Sequence, residues 1–379
     1  MIVFIATRPH HVEYFAALAR HLPMGSRIER YPRVPFDALL PSPPAADLDI
    51  RKLVEDHMSR KLARSQSFTR IARASKCLLV SVAARSHLRH FRRLAASRDT
   101  DAIAVWNGFG WVARCAVVAA RASRKPVIHF ENGLLPGTTT IDAAGVNALN
   151  SIPRNPETFR ALWPGDDIPL ALPPTASGAT EDNVPLPPRY IWVPFQIDSD
   201  SQIIRHSPWI ANMRALFAVL ESLSPLAAAL GLVFVCKEHP SSTVKYPDLH
   251  RRQSATLRIV NSERTDKLIH QAAGVITINS TAGLEALLMY KPVIALGDAF
   301  YAMPGLADQG RSAAELARWL VGLAVRDVDR KLVNAFHHYL RSRYCVAGSW
   351  KSPDRAHLLA ATQRVSALLD ESSQTRRCQ

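Results

Sequence analysis

The chain has 379 residues, 47% of them hydrophobic, so it can bury a core large enough for two domains. Its 47 Lys and Arg against 32 Asp and Glu give a net charge of +15, which favours anionic partners. The 5 cysteines are scattered without CxxC or Cys/His spacing, which argues against a disulfide framework or zinc site and indicates a reducing compartment. The N-terminus lacks the basic start of a secretion signal, and no run of about 18 apolar residues occurs. We therefore expect a cytoplasmic protein without a spanning helix.

The first 150 residues alternate between predicted strands and helices. The predicted elements are a strand over 2–6, a helix over 10–21, a proline-rich loop, helices to about residue 98, a strand in 101–110, a helix over 111–123 and a strand over 126–131. This alternation is typical of a parallel α/β sheet with helical crossovers.

Residues 151–189 are proline-rich and aperiodic, which predicts a linker before a second α/β domain over 190–306. The predicted elements of that domain are strands over 190–195, 231–240, 256–260, 274–279 and 291–297, and helices over 209–223, 264–272 and 282–290. Residues 307–379 are predicted to be mainly helices that pack back on the domains. The sequence thus predicts an α/β fold of two doubly wound, Rossmann-like domains with a ligand in a central cleft.

Polar side chains cluster directly after the predicted strands. The clusters are Thr7, Arg8 and His10; Asn107 and Gly108; Glu131, Asn132 and Gly133; Gln196, Asp198, Asp200, Ser201 and Gln202; Lys237, Glu238 and His239; and Asn279, Ser280 and Thr281. Because open α/β sheets bind ligands at the carboxyl ends of their strands, these residues are the candidate site.

The segment INSTAGLEAL, residues 278–287, predicts a strand that ends, a cap and a helix that begins. The free N–H groups and the dipole of such a helix start suit a phosphate. An ordinary capped helix with Glu285 in its first turn is the alternative. The chain contains neither GxGxxG nor GxxxxGK[ST], so neither motif supports a dinucleotide or P-loop site.

The acids near these strand ends divide by context. Glu131 ends an apolar strand, where partial burial raises a carboxyl pKa and suits proton transfer. Asp198 and Asp200 lie in a Ser-rich loop, where a carboxylate stays ionised as a nucleophile or as a stabiliser of positive charge. Solvated loop acids are the alternative, as is a purely structural role for His239 before its proline.

Positive charge concentrates in residues 60–76 and 85–98. These segments lack the regular interleaving of aromatic residues with cations that single-strand nucleic-acid binders have, so nucleic acid is disfavoured. A basic helical face on an anionic membrane surface and a merely solvated basic face both remain open.

Four motifs together carry a family resemblance. They are ENGLLPGTTTIDAAGVN (131–147), the Q…DSQ of PFQIDSDSQIIRHS, KEHP (237–240) and ITINSTAGLEALLMYKPVIALGDAFYAMPGL (276–306). In this order they resemble the capsule polysaccharide biosynthesis family, which contains the bacterial retaining β-Kdo glycosyltransferases. The resemblance is strongest over 101–150 and 190–306.

The resemblance implies a GT-B-like enzyme with an acceptor-side domain at 1–150 and a CMP-sugar-binding domain at 190–306. It implies CMP-Kdo as donor, with no metal and no further cofactor. On the double-displacement scheme of similar enzymes, Asp200 attacks the anomeric carbon, Glu131 is the base for the acceptor hydroxyl and His239 contacts the donor. Asp198 competes with Asp200 as nucleophile. The implied donor-binding residues are Lys237, Asn279, Ser280, Thr281 and Gln202, and the implied acceptor or loop residues are Asn132, Gly133, Asp142 and Asn147.

Two other functions fit parts of the sequence. One is a CDP-polyol phosphotransferase of the teichoic-acid type, which would not need Asp200 as a nucleophile. The other is a non-catalytic basic adaptor at the membrane. We expect CMP-Kdo, a saccharide or glycolipid acceptor and an anionic membrane surface as partners, but no nucleic acid. The expected location is the cytoplasm or the periphery of the inner membrane.

Overall fold

The structure is a computed structural model that describes residues 1–31, 48–64, 69–165 and 185–377. It divides into two compact units. The first unit comprises Met1–Ser151 and Leu340–Gln379, and the second comprises Ile152–Tyr339.

The elements of residues 1–151 are β1 (Ile2–Ala6), α1 (Pro9–Ala19), β2 (Ser26–Arg30), α2 (Ile50–Leu62), α3 (Arg70–Ala96), β3 (Ala102–Trp106), α4 (Trp111–Ala122), β4 (Val127–Asn132), β5 (Thr138–Asp142) and a 3-10 turn (Asn147–Leu149). Those of the second unit are α5 (Pro156–Leu162), β6 (Tyr190–Pro194), α6 (Ser201–His206), α7 (Met213–Ser222), α8 (Ser224–Ala229), β7 (Val233–Lys237), α9 (Pro247–His250), β8 (Leu257–Ile259), α10 (Thr265–Gln271), β9 (Gly274–Thr277), α11 (Thr281–Leu288), β10 (Val293–Ala295), β11 (Asp308–Gln309), α12 (Ala313–Gly322), a 3-10 turn (Leu323–Val325) and α13 (Arg330–Tyr339). The chain then returns to the first unit through a π-helical turn (Leu340–Tyr344), β12 (Val346–Ala347) and α14 (Arg355–Arg377).

The first unit is built on a sheet with the strand order β12-β5-β4-β3-β1-β2. β2, β1, β3 and β4 are parallel, whereas β5 and β12 are antiparallel to their neighbours. Alternate residues of β1 and β3 face two apolar cores, one formed with α2, α3 and α4 and the other with α1 and α14. Burial on both faces explains why these central strands are continuous apolar runs.

The second unit is built on a fully parallel sheet with the order β11-β10-β9-β6-β7-β8. Going outward from β6, the chain runs through β7 and β8 on one side and through β9, β10 and β11 on the other. This is the Rossmann order, and its topological switch point lies between β6 and β9. The predicted α/β, GT-B-like fold class with two Rossmann-like domains is therefore confirmed.

Several parts of the fold differ from the sequence-based expectations. The stretch after β4 was expected to be a loop, but β4 and β5 form an antiparallel hairpin with Glu131 opposite Thr140. β2 and α6 were not expected. The expected linker contains α5, which packs on α13, while 166–184 lie outside the described residues. Of the C-terminal residues 307–379, those to Tyr339 belong to the second unit and the rest to the first.

Across the described ranges, no helix is both long enough and apolar enough to cross a membrane.

Candidate functional site

The switch point of the second sheet is organised by a pair of amides. Gln196 follows β6 and Asn279 follows β9, so the two side chains meet at the carboxyl edge of neighbouring strands. Nε2 of Gln196 donates to Oδ1 of Asn279 at 2.9 Å, and the Asn279 N–H donates to Oε1 of Gln196 at 3.1 Å. Nδ2 of Asn279 donates to the carbonyls of Gln202 (3.1 Å) and His206 (3.0 Å). Both amide protons of Asn279 thus bond to carbonyls of α6, so this predicted donor-binding residue holds the helix in position.

Asp200 is the N-cap of α6, a position that aspartate favours because its carboxylate accepts first-turn N–H groups. Its Oδ1 accepts from the Gln202 N–H at 2.9 Å and from the Ser201 hydroxyl at 3.2 Å. Its Oδ2 accepts no hydrogen bond from any residue that the structure describes, and the side chain is exposed. One carboxylate oxygen is therefore held by the helix and the other is open to a ligand.

His239 lies in the turn after β7, the strand beside β6. The Ser241 N–H donates to Nδ1 of His239 at 3.1 Å, which assigns the proton of the neutral ring to Nε2. Burial lowers the pKa of His239, and the negative charge of Asp200 acts in the opposite direction without reversing the shift. The neutral imidazole thus offers an Nε2–H donor near the Asp200 carboxylate.

Gln202 has a buried side chain, with only 8% of its surface exposed. Neither Nε2 nor Oε1 of this amide has a hydrogen-bond partner among the described residues. Leaving such a group unsatisfied costs about 1–3 kcal/mol. A ligand group that both donates and accepts would recover that energy, so Gln202 remains a candidate for donor binding.

The N-terminus of α11 begins just past β9. The Ser280 hydroxyl accepts from the Ala282 N–H at 3.1 Å, and the Ser280 carbonyl accepts from the Tyr301 hydroxyl at 2.5 Å. Thr281, the first helical residue, is exposed. Gly283 serves packing, since a Cβ there would lie 2.4 Å from the Tyr301 hydroxyl oxygen. Ser280 therefore caps the helix, whereas Thr281 marks an accessible helix start of the kind that binds anions.

Lys237 is not brought to this switch point. Its Nζ donates to the Glu263 carbonyl in the loop after β8, on the far side of β7 from β6. Burial lowers the pKa of Lys237, while the carboxylates of Glu263 and Asp266 raise it. Lys237 thus bonds to the loop after β8. This position differs from the predicted position of Lys237 near a donor phosphate.

Asp198 is buried, which the sequence reasoning did not expect either of an ionised loop carboxylate or of the alternative, a solvated loop acid. It accepts from the Met213 N–H at 2.8 Å and from the Tyr246 hydroxyl at 3.1 Å. Burial raises the pKa of Asp198, while these two hydrogen bonds and the Arg214 charge lower it. Between the two candidate nucleophiles, only Asp200 presents an open oxygen.

In the first unit, Glu131 and Asn132 end β4. Glu131 is half-buried, and its Oε1 accepts from the Asn132 N–H at 2.8 Å. Oδ1 of Asn132 accepts from the indole N–H of Trp350 at 2.8 Å. Asn132 itself is exposed, so the carboxyl edge of β4 carries an acid, an amide and an indole together.

The other predicted acceptor or loop residues are Gly133, Asp142 and Asn147. A Cβ on Gly133 would lie 1.9 Å from Oγ1 of Thr138, so only glycine fits the hairpin. Asp142 is buried and accepts from the N–H groups of Ala144, Gly145 and Ser151 and from the hydroxyls of Ser151 and Tyr344, at 2.7–3.2 Å. Asn147 takes a left-handed conformation, with φ +53, at the start of the 3-10 turn.

The sequence reasoning named His10 but missed the rest of an aromatic cluster at the carboxyl ends of β1, β3 and β4. The ring centroid of His11 lies 4.5 Å from that of Trp106, with the planes stacked at 15°. Trp350 packs 4.3 Å from Trp106 and 5.4 Å from His10. Burial, followed by the charges of His10 and Arg8, lowers the pKa of His11 to about 4. Trp350 lies in the C-terminal return, which no local pattern assigned to this edge.

Among the residues the structure describes, no group of three or more His, Cys, Asp or Glu side chains could hold a metal ion.

Comparison with known proteins gives matches of two kinds. The family model of "Capsule polysaccharide biosynthesis protein" matches residues 173–350. Protein FixF of Sinorhizobium fredii is 32% identical over 268 residues, which cover 68% of this chain and 63% of FixF. The capsule polysaccharide export protein KpsS of Escherichia coli is 26% identical over 255 residues, covering 50% of this chain and 65% of KpsS. The match thus spans less than two thirds of the length of each relative.

Among solved structures, the β-Kdo 2,7 transferase of Thermosulfurimonas dismutans KpsC is similar with a TM-score of 0.47 and 20% identity, over 74% of this chain and 89% of that one. Its β-Kdo 2,4 transferase gives a TM-score of 0.44 and 13% identity, over 88% and 89%. The family expected from the four motifs is confirmed by the family model and the curated relatives. Residues 173–350 of this chain thus match the model of the capsule polysaccharide biosynthesis family.

Proposed function

We propose that this protein is a glycosyltransferase that transfers Kdo from CMP-Kdo to a saccharide or glycolipid acceptor of a bacterial surface polysaccharide, with retention at the anomeric carbon. The observation that carries the proposal is the open Oδ2 of Asp200 close to the neutral imidazole of His239, at the switch point of a Rossmann-ordered sheet. In the same proposal, the enzyme works in the cytoplasm, peripheral to the inner membrane.

The donor chemistry fits the groups at that edge. CMP-Kdo carries one phosphate and one sugar carboxylate, and both are anions. The exposed start of α11 suits the phosphate, since first-turn N–H groups and the helix dipole favour negative charge. The buried amide of Gln202 can donate to one donor oxygen and accept from a hydroxyl. The Nε2–H of His239 provides a further donor to an anionic oxygen. The proposed chemistry uses no resident cofactor.

The proposed reaction is a double displacement. Oδ2 of Asp200 attacks the anomeric carbon, the bond from that carbon to the phosphate oxygen breaks, and CMP leaves with the electron pair. Glu131 then takes the proton of the acceptor hydroxyl, whose oxygen attacks the same carbon and releases Asp200. Two inversions give net retention. The role of Glu131 follows from the family resemblance, and its half-exposed position at the end of β4 is compatible with it.

Release of CMP from different cytidylyl donors tests the proposal. We expect CMP from CMP-Kdo in the presence of acceptor and none from CDP-glycerol. Asp200→Asn should abolish release, whereas Asp266→Asn, at a half-buried acid paired with Arg264 in the same unit, should retain it. Turnover of CDP-glycerol alone would establish a polyol phosphotransferase. If no donor releases CMP, the protein is not a transferase for these donors, and the non-catalytic adaptor is the remaining function.

A further inference from the structure

The N-terminal half of α3 carries an exposed apolar face. Ile71 is 80% exposed, Leu78 65%, Leu79 68% and Val82 39%. At 3.6 residues per turn, Ile71, Leu78 and Val82 lie within about 40° of one another, and Leu79 lies beside them. Single exposed leucines are common in proteins, but four apolar side chains on one helical face form a patch of the kind that binds a partner. We call these four residues the α3 apolar face.

None of the described elements covers this face. The C-terminal half of α3 contributes Ala84, Leu88, Phe91 and Ala95 to the core of the first unit. These residues point to the side of the helix opposite the α3 apolar face, by helical geometry. The N-terminal half packs on the same core through Cys77 and Val80 and presents the α3 apolar face to solvent.

The α3 apolar face is surrounded by positive charge. Between residues 57 and 98 the sequence has 11 Lys and Arg and no Asp or Glu. Arg70, Arg73, Lys76 and Arg85 are exposed on the same stretch of helix as the apolar residues. Apolar side chains flanked by long cationic ones are the composition of helices that lie in the plane of a membrane interface.

We propose that the N-terminal half of α3 docks on an anionic lipid bilayer, with the α3 apolar face buried among the acyl chains and the flanking Arg and Lys at the headgroups. Long cationic side chains suit this position, since they keep their charge in the polar layer while their stems cover apolar surface. Each cation near such a surface adds attraction to anionic lipid. This interaction needs neither the sugar donor nor the acceptor, so it stands apart from the proposed catalytic function.

Two other partners, a nucleic acid and a second copy of the chain, would each match only one feature of the α3 apolar face and its flanking charges. A nucleic acid would match the cations but would leave the isoleucine, leucines and valine without an apolar contact. A second copy of the chain would cover the apolar residues but would bring two strongly cationic helices together, which is repulsive. An anionic bilayer satisfies both features at once.

Co-sedimentation of the full chain with vesicles tests the proposal. We expect binding to vesicles that contain phosphatidylglycerol and little binding to pure phosphatidylcholine. Ile71→Ser with Leu78→Ser should weaken binding about tenfold, which corresponds to about 1.4 kcal/mol. The matched control is Val321→Ser with Val325→Ser, two apolar residues of the second unit that are 58% and 88% exposed, and it should bind as the parent does. Because all four positions are exposed, far-UV circular dichroism should show the same helix content in each variant.

Unchanged vesicle binding by the Ile71/Leu78 variant would overturn the insertion of the α3 apolar face and leave a purely electrostatic contact. A parent protein that forms dimers in light scattering, and a variant that is monomeric, would assign the face to a second copy instead. Tighter binding of the parent to single-stranded RNA than to the vesicles, with the same loss in the variant, would assign it to nucleic acid.

Discussion

Asp198 and Asp200 are separated by one residue but lie in different environments. The free energy of unfolding of variants at the two positions tests this difference. Asp198 is buried between the Met213 N–H and the Tyr246 hydroxyl, whereas Asp200 is an exposed helix cap. Asp198→Ala leaves two buried donors without an acceptor and should lower the free energy of unfolding by about 1–3 kcal/mol. Asp200→Asn should cost less than about 1 kcal/mol, since asparagine caps helices as well as aspartate does. Urea unfolding of both variants measures the difference.

Equal losses in the two variants would contradict this distinction. The same pair also separates stability from chemistry, because the proposed function needs Asp200 itself and needs Asp198 only to hold the loop before α7. An active, destabilised Asp198 variant and an inactive, stable Asp200 variant are the expected outcome.

Gly133 is the residue on which the β4–β5 hairpin depends most sharply. A Cβ there would lie 1.9 Å from Oγ1 and 2.3 Å from the carbonyl carbon of Thr138. Gly133→Ala should therefore lower the free energy of unfolding by about 1–3 kcal/mol or more through overpacking. Gly110→Ala is the matched control, since no atom lies within 4 Å of its Cβ position and its φ is -61. Thermal unfolding of the two variants checks the prediction, and a Gly133→Ala protein as stable as the control would refute the close approach of Gly133 to Thr138.

At the level of elements, the start of α11 is the part of the proposed donor site that can be tested by binding alone. Thr281→Ala removes an exposed hydroxyl from the helix start, and combined with Ser280→Ala it should weaken CMP binding by about 1–3 kcal/mol. Ser280 is also the helix cap, so fraying of the helix start is a second route to weaker binding.

Ser312→Ala controls for that contribution. Ser312 caps α12 in the same unit, where its hydroxyl accepts from the Glu315 N–H at 3.2 Å. Its loss should reduce stability by about 1 kcal/mol and leave CMP affinity unchanged. Calorimetric titration of CMP into the three proteins distinguishes the outcomes. Equal CMP affinity in parent and double variant would remove α11 from the donor site.

The elements predicted from sequence are those with a strong local pattern. β1, β3, β6 and β9 are buried apolar runs, and the alternation with helices fixed the α/β class. β2 was not predicted because four of the five residues of SRIER are polar, as suits the edge strand of a sheet. β5 escaped because three threonines and an aspartate suggest a loop, although threonine is a strand former once a partner strand is present.

The candidate site was predictable in position but not in contacts. The rule that ligands bind at the carboxyl ends of strands selected Asp200, His239 and Gln202. In the structure Asp200 has an open carboxylate oxygen and His239 has an Nε2–H donor. The side-chain amide of Gln202 has no hydrogen-bond partner among the described residues. The same rule selected Lys237 and Asn279, which instead bond to protein groups. Which partner a side chain finds depends on loops distant in sequence, and no local pattern carries that information.

At the scale of the whole molecule, the chain does not divide at one point. Residues from Leu340 onward return to the first unit, where β12 pairs with β5 and α14 joins the core of β1. The return also supplies Trp350 to the end of β4 and Tyr344 to Asp142. These contacts join residues about two hundred positions apart in the sequence. Local patterns could therefore predict the C-terminal helices but not the unit to which they belong.

Intact-mass analysis of the Glu131→Gln variant after mixing with CMP-Kdo tests the central claim, a covalent glycosyl intermediate on Asp200. If Glu131 is the base of the second step, this variant should release about one CMP per enzyme and then stall. We predict a mass increase of one Kdo residue, mapped by peptide sequencing to Asp200 and absent from the Asp200→Asn, Glu131→Gln double variant. Full turnover by Asp200→Asn, or a stalled enzyme with no adduct, would contradict the proposed mechanism.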